Sequence, residues 1–465
     1  MVSRSATVTV PPIIFISWSV KYKPMRTRSY SPLTLCLTGL TWLTLASILG
    51  LAILIGLVRG TPLPSWVRAL HVHAVLIGGV AQIILGGFLL LIAPPQSKAG
   101  MESDSHPITL LALNGGLVGM LVGFWLHHDL LVSIAGFVVI AGFLSAIRSL
   151  WARAQQILNF SLGHSWYYAL AFFGLVGGSA FGELMTLGMI PESYGSVRLA
   201  HIHLVVLGFV VLIIIGMMHH LLPIVWGAPL ADPRLMQLTT IFLPIGAALL
   251  IGGFLNSSVL VEMIAGAILF MGVSLLTGNL FRTWLALPHS GNAASDHLLV
   301  STFFLVFTII LGIFVGANHL SNPPALPYGK LHLVAYTHMA FIGFIVNAVM
   351  GAFSYLIPVT LAASRVTSHK KRSVYLDQLT SMMNRLGSVQ IAALSLGTMG
   401  VGIVATLTWN VPLSSIYIQS ALWACLLLLL TSYVLFSIKL SAIVAKQPEH
   451  LATQQRAPDE LKPAA

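Results

Sequence analysis

Three segments of this 465-residue chain carry histidine at one shared spacing. They read HVHAVLIGGVAQIILGGFLLLIAP from His71, HIHLVVLGFVVLIIIGMMHHLLP from His201 and YTHMAFIGFIVNAVMGAFSYLIP from Tyr336. Aligned on His73, His203 and His338, each continues His-x4-Gly-x7-Gly, giving Gly78 and Gly86, Gly208 and Gly216, and Gly343 and Gly351. Pro94, Pro223 and Pro358 follow, and two residues before each aligned histidine stand His71, His201 and Tyr336. Imidazole can stay neutral and still bind iron, copper or zinc through a ring nitrogen. Positions two apart on an α-helix point about 200° from each other, so His71 and His73 serve opposite faces and cannot share one small ion. The two glycines fall about 140° to either side of the aligned histidine, on the face of His71, which leaves that face smooth for a flat ring or another helix.

Composition determines what must position these residues. The chain is 57% hydrophobic and 8% charged, with a mean hydropathy of +0.91, whereas a soluble domain carries about 25% charged residues. This is an integral membrane composition, and it excludes a soluble enzyme, a nucleic-acid-binding module, a disulfide-rich secreted domain and a disordered scaffold. The two cysteines, Cys36 and Cys425, lie in separate apolar stretches with no Cys-x-x-Cys-His motif, so no covalent c-type haem is expected.

Apolar runs predict twelve spans at 32–58, 64–93, 107–126, 130–152, 162–187, 197–226, 236–255, 257–282, 298–318, 328–360, 386–408 and 414–440. The expected fold is all-α: a single twelve-helix membrane domain over 32–445, with four-helix repeats at about 32–155, 160–283 and 297–443 in a pseudo-threefold arrangement. A basic N-terminal segment, 1–31, precedes it and a polar tail, 446–465, follows. With the N-terminus cytoplasmic, 19 of the 23 Lys and Arg residues fall inside, with clusters at Lys21 to Arg28 and Arg365 to Arg372. Arg59, Arg68, Arg198 and Lys330 fall outside, so both termini are expected in the cytoplasm of a bacterial-type inner membrane. Pro11 to Val20 leads into Lys21 and Lys23, not a small-residue cleavage site, and is not read as a signal peptide.

The second, sixth and tenth spans run from outside to inside, which puts the aligned histidines about 9–15 Å below the outer helix ends. An ionisable side chain there costs several kcal/mol unless it is neutral and paired or ligates a metal. Glu183, His319 and His332 collect toward the same side. Glu183 is expected either to relay protons or to bond the second nitrogen of a histidine. His219 and His220, about 24 Å further along than His203, are expected as an inner interfacial pair near Pro223. His127 and His128 read as a surface hairpin, Glu262 as interfacial, and Arg365 to Arg372 as an orientation signal facing anionic lipid.

The three histidine-bearing spans resemble those of the haem-copper oxidase subunit I superfamily, the catalytic subunits of cytochrome oxidases and nitric oxide reductases. HVHAVLIGG…GGFLLL and HIHLVVLGF are also similar to the NnrS family of haem- and copper-containing membrane proteins. The resemblance covers the topology of most of the chain and, as motif, these three spans. It implies b-type haem between the second and tenth spans, with His73 or His71 as one axial ligand and His338 as the other; His332 is the remaining candidate on the tenth span. It also implies copper or non-haem iron, for which His201, His203 and His319 are available. The chain departs from the family at the seventh span, IFLPIGAALLIGGFL, which lacks the histidine pair, and at the sixth, which lacks the His-Pro-Glu and tyrosine signature. The implied activity is respiratory electron transfer or oxygen and nitric oxide chemistry or response. An enzyme of this kind would be a haem-dependent oxidoreductase, its partners the lipid bilayer, other respiratory subunits or a cytochrome electron donor, and no nucleic acid. The alternatives are a proton-coupled secondary transporter, whose expected halves contrast with these thirds, and a cofactor-free assembly protein that passes copper or haem to a partner.

Overall fold

Hydrocarbon offers a backbone no hydrogen-bond partners, so each span must satisfy its own N–H and C=O groups and begin cleanly. Ser31, Asp232 and Asn292 accept from Leu33 N, Arg234 N and Ala294 N at 3.3, 2.9 and 3.0 Å, and Pro32 and Pro233 follow two of these caps. The computed structural model describes residues 31–92, 107–157, 162–287, 291–320, 330–408 and 410–448. Most of the N-terminal segment, including Lys21 to Arg28, and the tail beyond residue 448 lie outside the described residues.

The described residues are helical, and twelve helices are long and apolar enough to cross a membrane. α1 is Pro32–Val58, and α2 comprises Ser65–His73, Ala74–Ala81 and Gln82–Ile92. α3 is Pro107–Leu126, α4 Asp129–Ile157 and α5 Leu162–Thr186, and α6 comprises Tyr194–His203, Leu204–Val211 and Leu212–Trp226. α7 is Pro233–Leu255, α8 Val259–Ala286 and α9 Ala293–Ala317, and α10 comprises Lys330–His338, Met339–Val346 and Asn347–Arg365. α11 (His369–Asn384), α12 (Gly387–Leu407) and α13 (Ile416–Ala445) complete the order.

The middle section of α2, α6 and α10 is a π-helix, and each begins at the residue after an aligned histidine. A π segment closes i→i+5 bonds, so 100° per residue no longer sets the phase of the helix beyond it. The glycines nevertheless keep to the side of His71, because that side is occupied by another helix. A Cβ on Gly86 would stand 2.8 Å from Pro32 O of α1, and one on Gly351 2.9 Å from Ala294 O of α9. In α6 the backbones themselves meet: a Cβ on Gly174 would stand 2.7 Å from the carbonyl carbon of Gly208. Of the two occupants the sequence allows for the smooth face, a ring or a helix, the structure holds the helix.

These three helices form the centre. Of their most apolar stretches, 72%, 61% and 78% is buried, against 50% or less in the other nine spans. Their last sections, on the side of the chain termini, pack against one another. Their first sections pack chiefly on sequence neighbours: α2 on α1 and α3, α6 on α5 and α7, α10 on α12. The centre is therefore a neck on the terminus side, and the histidine-bearing sections lie beyond it on the far side.

The stretch expected as a basic loop contains α11, which buries Tyr375, Leu379 and Met383 on one face. Two of the four basic residues expected to face lipid are used internally. Arg365 donates to Tyr375 Oη at 2.9 Å, Lys446 O at 2.7 Å and Val444 O at 2.8 Å, while Arg372 donates to Val366 O at 2.9 Å and Thr367 O at 3.1 Å. Arg365 thereby ties the ends of α10 and α13 to α11. Because hydrogen bonds from a charged donor contribute about 1.5–3 kcal/mol each when shielded, Arg365→Gln should lower stability by about 1–2 kcal/mol at this half-buried site. A thermal-denaturation midpoint in detergent checks this, with Lys370→Gln as the near-neutral control.

Candidate functional site

An imidazole becomes a ligand only when one nitrogen keeps a lone pair, which is decided by what holds the other. In all three central helices the aligned histidine turns Nδ1 back to the carbonyl four residues earlier. His73 bonds Ala69 O, His203 bonds Leu199 O and His338 bonds Val334 O, each at 2.8 Å. These carbonyls can only accept, so Nδ1 carries the proton and Nε2 the lone pair.

The residues two positions earlier bond across to the preceding helix. His71 Nδ1 donates to Ala46 O of α1 at 2.8 Å and His201 Nδ1 to Gly178 O of α5 at 2.7 Å. Four residues beyond each acceptor a glycine makes room for the ring. A Cβ on Gly50 would stand 2.6 Å from His71 Cε1, and one on Gly182 3.1 Å from His201 Cε1. On α9, a Cβ on Gly312 would stand 3.1 Å from Tyr336 Cε2. Here the preceding helix reads Ala46-x3-Gly50, Gly178-x3-Gly182 and Thr308-x3-Gly312, a signal present in the sequence that the histidine motif alone does not reveal.

The two kinds of ring interact across neighbouring central helices, one pair at hydrogen-bond distance and two electrostatically. His71 on α2 lies within electrostatic range of His338 on α10, and His73 on α2 within range of His201 on α6. Tyr336 Oη on α10 lies 3.4 Å from His203 Nε2 on α6, with the phenol as donor. Phe124 of α3 backs His73 with ring centroids 4.8 Å apart, and Phe254 of α7 backs His203 at 4.7 Å. All six rings are half-buried although they sit roughly 9–14 Å inside the helix ends. The side chains of His319 and His332 lie outside the described residues. Among the described residues no three of His, Cys, Asp and Glu gather as a metal-binding group.

Glu183 of α5 is buried and bonded through Oε2 to Ser133 Oγ of α4 at 2.6 Å. The second nitrogen of His201 goes to a backbone carbonyl instead, and Gly136 of α4 supplies the space the carboxyl occupies. His219 is 4% exposed and belongs to the core rather than to the interface, while His220 stacks on Tyr168 at 6.2 Å. His127 and His128 are exposed in the α3–α4 hairpin.

Sequence reasoning missed a second polar cluster on the terminus side. His297 of α9 is fully buried, donating from Nδ1 to Asn347 Oδ1 of α10 at 2.7 Å and accepting at Nε2 from Gln390 of α12 at 3.0 Å. Its helix is longer than the apolar run, which starts one residue later, so the histidine reads as a helix-flanking residue.

Fold and site together define a polytopic, all-helical membrane protein with histidines repeated on its three central helices. No family model matches the chain, and no curated protein matches it.

Proposed function

We propose that this protein binds b-type haem in the crevice between α10 and α2, where His338 and His71 would hold it. The observation that carries it is the shared tautomer: both rings commit Nδ1 to a carbonyl and keep the Nε2 lone pair, and they lie within range of each other. Two opposed imidazoles suit an iron whose four equatorial positions are filled by a porphyrin, whereas bare zinc takes four ligands. Held by two histidines, such a haem would supply one-electron transfer. Gly50 and the bond to Ala46 O fix the plane of the His71 ring, and the far-side location gives the crevice one open end.

The same pattern of first ring on one helix against second ring on the next supports a pseudo-threefold arrangement of four-helix repeats and, with it, a distant relation to the oxidase subunit I fold. The distribution of Lys and Arg supports cytoplasmic termini in a bacterial-type inner membrane, and a redox role would bring a respiratory subunit or cytochrome as partner. Copper or non-haem iron has a weaker basis. His203 already holds a phenol at Nε2, and His201 commits Nδ1 to Gly178 O.

The test is a reduced-minus-oxidised and pyridine haemochrome spectrum of the purified protein, with iron and copper quantified. Iron present as b-type haem at about one or more per chain is the expected result. A colourless, iron-free preparation from haem-sufficient cells overturns the proposal and leaves the proton-coupled transporter as the better reading.

A further inference from the structure

We infer a phospholipid-binding site on the far side of the membrane domain, in the slot between α1 and α13, where Arg59 takes the lipid phosphate; it is independent of the haem reading above. Around the central helices α4 packs on α5 and α8 on α9, whereas α1 and α13, the first and last of the described helices, do not pack along each other. Between their far-side ends lies a pocket of about 160 Å³, walled by Leu54 and Val58 of α1 and by Leu422 and Trp423 of α13, with Arg59 and Gln419 as its polar groups. Leu54 and Val58 pack against Ile418 and Leu422 in a small apolar cluster separate from the main core. An apolar cavity of about 150 Å³ takes up a benzene-sized molecule, so this pocket has room for a short length of acyl chain.

Depth orders the lining as a lipid is ordered. Arg59 caps the far-side end of α1, Leu54 lies about 7.5 Å deeper on the same helix, and Leu422 lies about 9 Å below the start of α13. Charge thus stands at head-group level with hydrocarbon walls beneath it. Arg59 is exposed, and among the described residues no protein group accepts from its guanidinium. Paired N–H donors of a guanidinium match the oxygens of a phosphate diester. Gln419 Nε2 donates to Leu413 O at 3.4 Å, which leaves Oε1 to accept from a hydroxyl on the head group. No acidic side chain lines the pocket, so the cation of a choline head group would find no partner there. The lining therefore favours an anionic, hydroxyl-bearing phospholipid of the phosphatidylglycerol kind. Such a lipid would fill the seam that the protein's own helices leave open.

The experiment is native mass spectrometry of the full-length protein in mild detergent, titrated with dioleoylphosphatidylglycerol and, separately, with dioleoylphosphatidylcholine. The wild type should hold one phosphatidylglycerol more tightly than any further copy and more tightly than phosphatidylcholine. Arg59→Gln should weaken that first copy about three- to tenfold, as expected for losing a charge-assisted hydrogen bond at an exposed site. Leu54→Phe, which fills the slot, should weaken it as well, and Arg68→Gln, another exposed far-side arginine outside the pocket, should not. Inorganic phosphate in excess should leave the lipid bound, and its displacing the lipid overturns the part assigned to the apolar walls. A wild type with no distinct first copy, equal binding of the two lipids, unchanged affinity in Arg59→Gln or an equal loss in Arg68→Gln overturns the site. A copurified quinone that is lost in Leu54→Phe overturns the phospholipid as occupant. Should Leu54→Phe fail to fold, the two arginine variants decide, since both side chains are exposed.

Discussion

Alanine in place of His338 or His71 is expected to empty the crevice between α10 and α2, lowering its haem occupancy at least tenfold. Each ring would hold the haem through Nε2, and each is pre-set by its Nδ1 bond to Val334 O or Ala46 O, so little conformational freedom would be lost on binding. Removing either ring would leave the haem one protein ligand short, with a space where the imidazole stood. Free imidazole added to the variant should enter that cavity and restore the six-coordinate spectrum, a recovery that a merely misfolded variant would not show. His203→Ala is the internal control, since its Nε2 is taken by Tyr336 and its loss should leave the spectrum of this crevice unaltered. Reduced-minus-oxidised spectra of the variants, each with and without imidazole, read all of these outcomes. Equal haem in wild type, His71→Ala and His338→Ala would remove the assignment.

The second large effect concerns the repeated glycines. Gly86→Ala and Gly351→Ala should each destabilise the fold by about 1–3 kcal/mol, the usual cost of overpacking, because the added methyl meets backbone that cannot turn aside. At Gly86 the obstacles are Pro32 O at 2.8 Å and Cys36 N at 3.0 Å, and at Gly351 they are Ala294 O at 2.9 Å and Leu298 N at 3.0 Å. Gly216→Ala, at the equivalent place in α6, should cost less, since its methyl would meet the rings of Tyr168 at 2.8 Å and Tyr167 at 3.2 Å rather than backbone atoms. Thermal midpoints followed by loss of the monodisperse peak in size exclusion give the ranking. A Gly216 variant less stable than the other two would contradict this account of the packing.

Much of the architecture was legible because the membrane makes it so. A helix that must bury no unpaired backbone and face lipid writes itself as a long apolar run, and the predicted edges of α1 and α3 agree with the observed Pro32–Val58 and Pro107–Leu126. α11 was not legible by that signal, since HKKRSVYLDQLTSMMN is short and basic, although Tyr375, Leu379 and Met383 recur at four-residue spacing. The three π segments leave no compositional trace, because they differ from α-helix in bonding and not in residue type.

For the site, the sequence identified six rings but not which ring meets which. His71 and His73 could be assigned to opposite faces from helix geometry, yet their partners depend on the order of helices around the centre, which no spacing encodes. His338 therefore had two candidates on α2, and it is His71 whose charge reaches it in the structure. Glu183 illustrates the same limit, its partner Ser133 lying 50 residues away on a different helix.

The neck formed by the last sections of α2, α6 and α10 separates two tasks that a cofactor-holding membrane protein must reconcile. Space enough for a ring is also space enough for water and small ions, and a hole through the bilayer would dissipate any gradient the cell maintains. Here the space lies on the far side of a seal made of buried, mostly apolar residues, among them Leu85, Ile215 and Phe353. That space can fill, empty or flood without opening a passage through the seal, so the membrane stays tight.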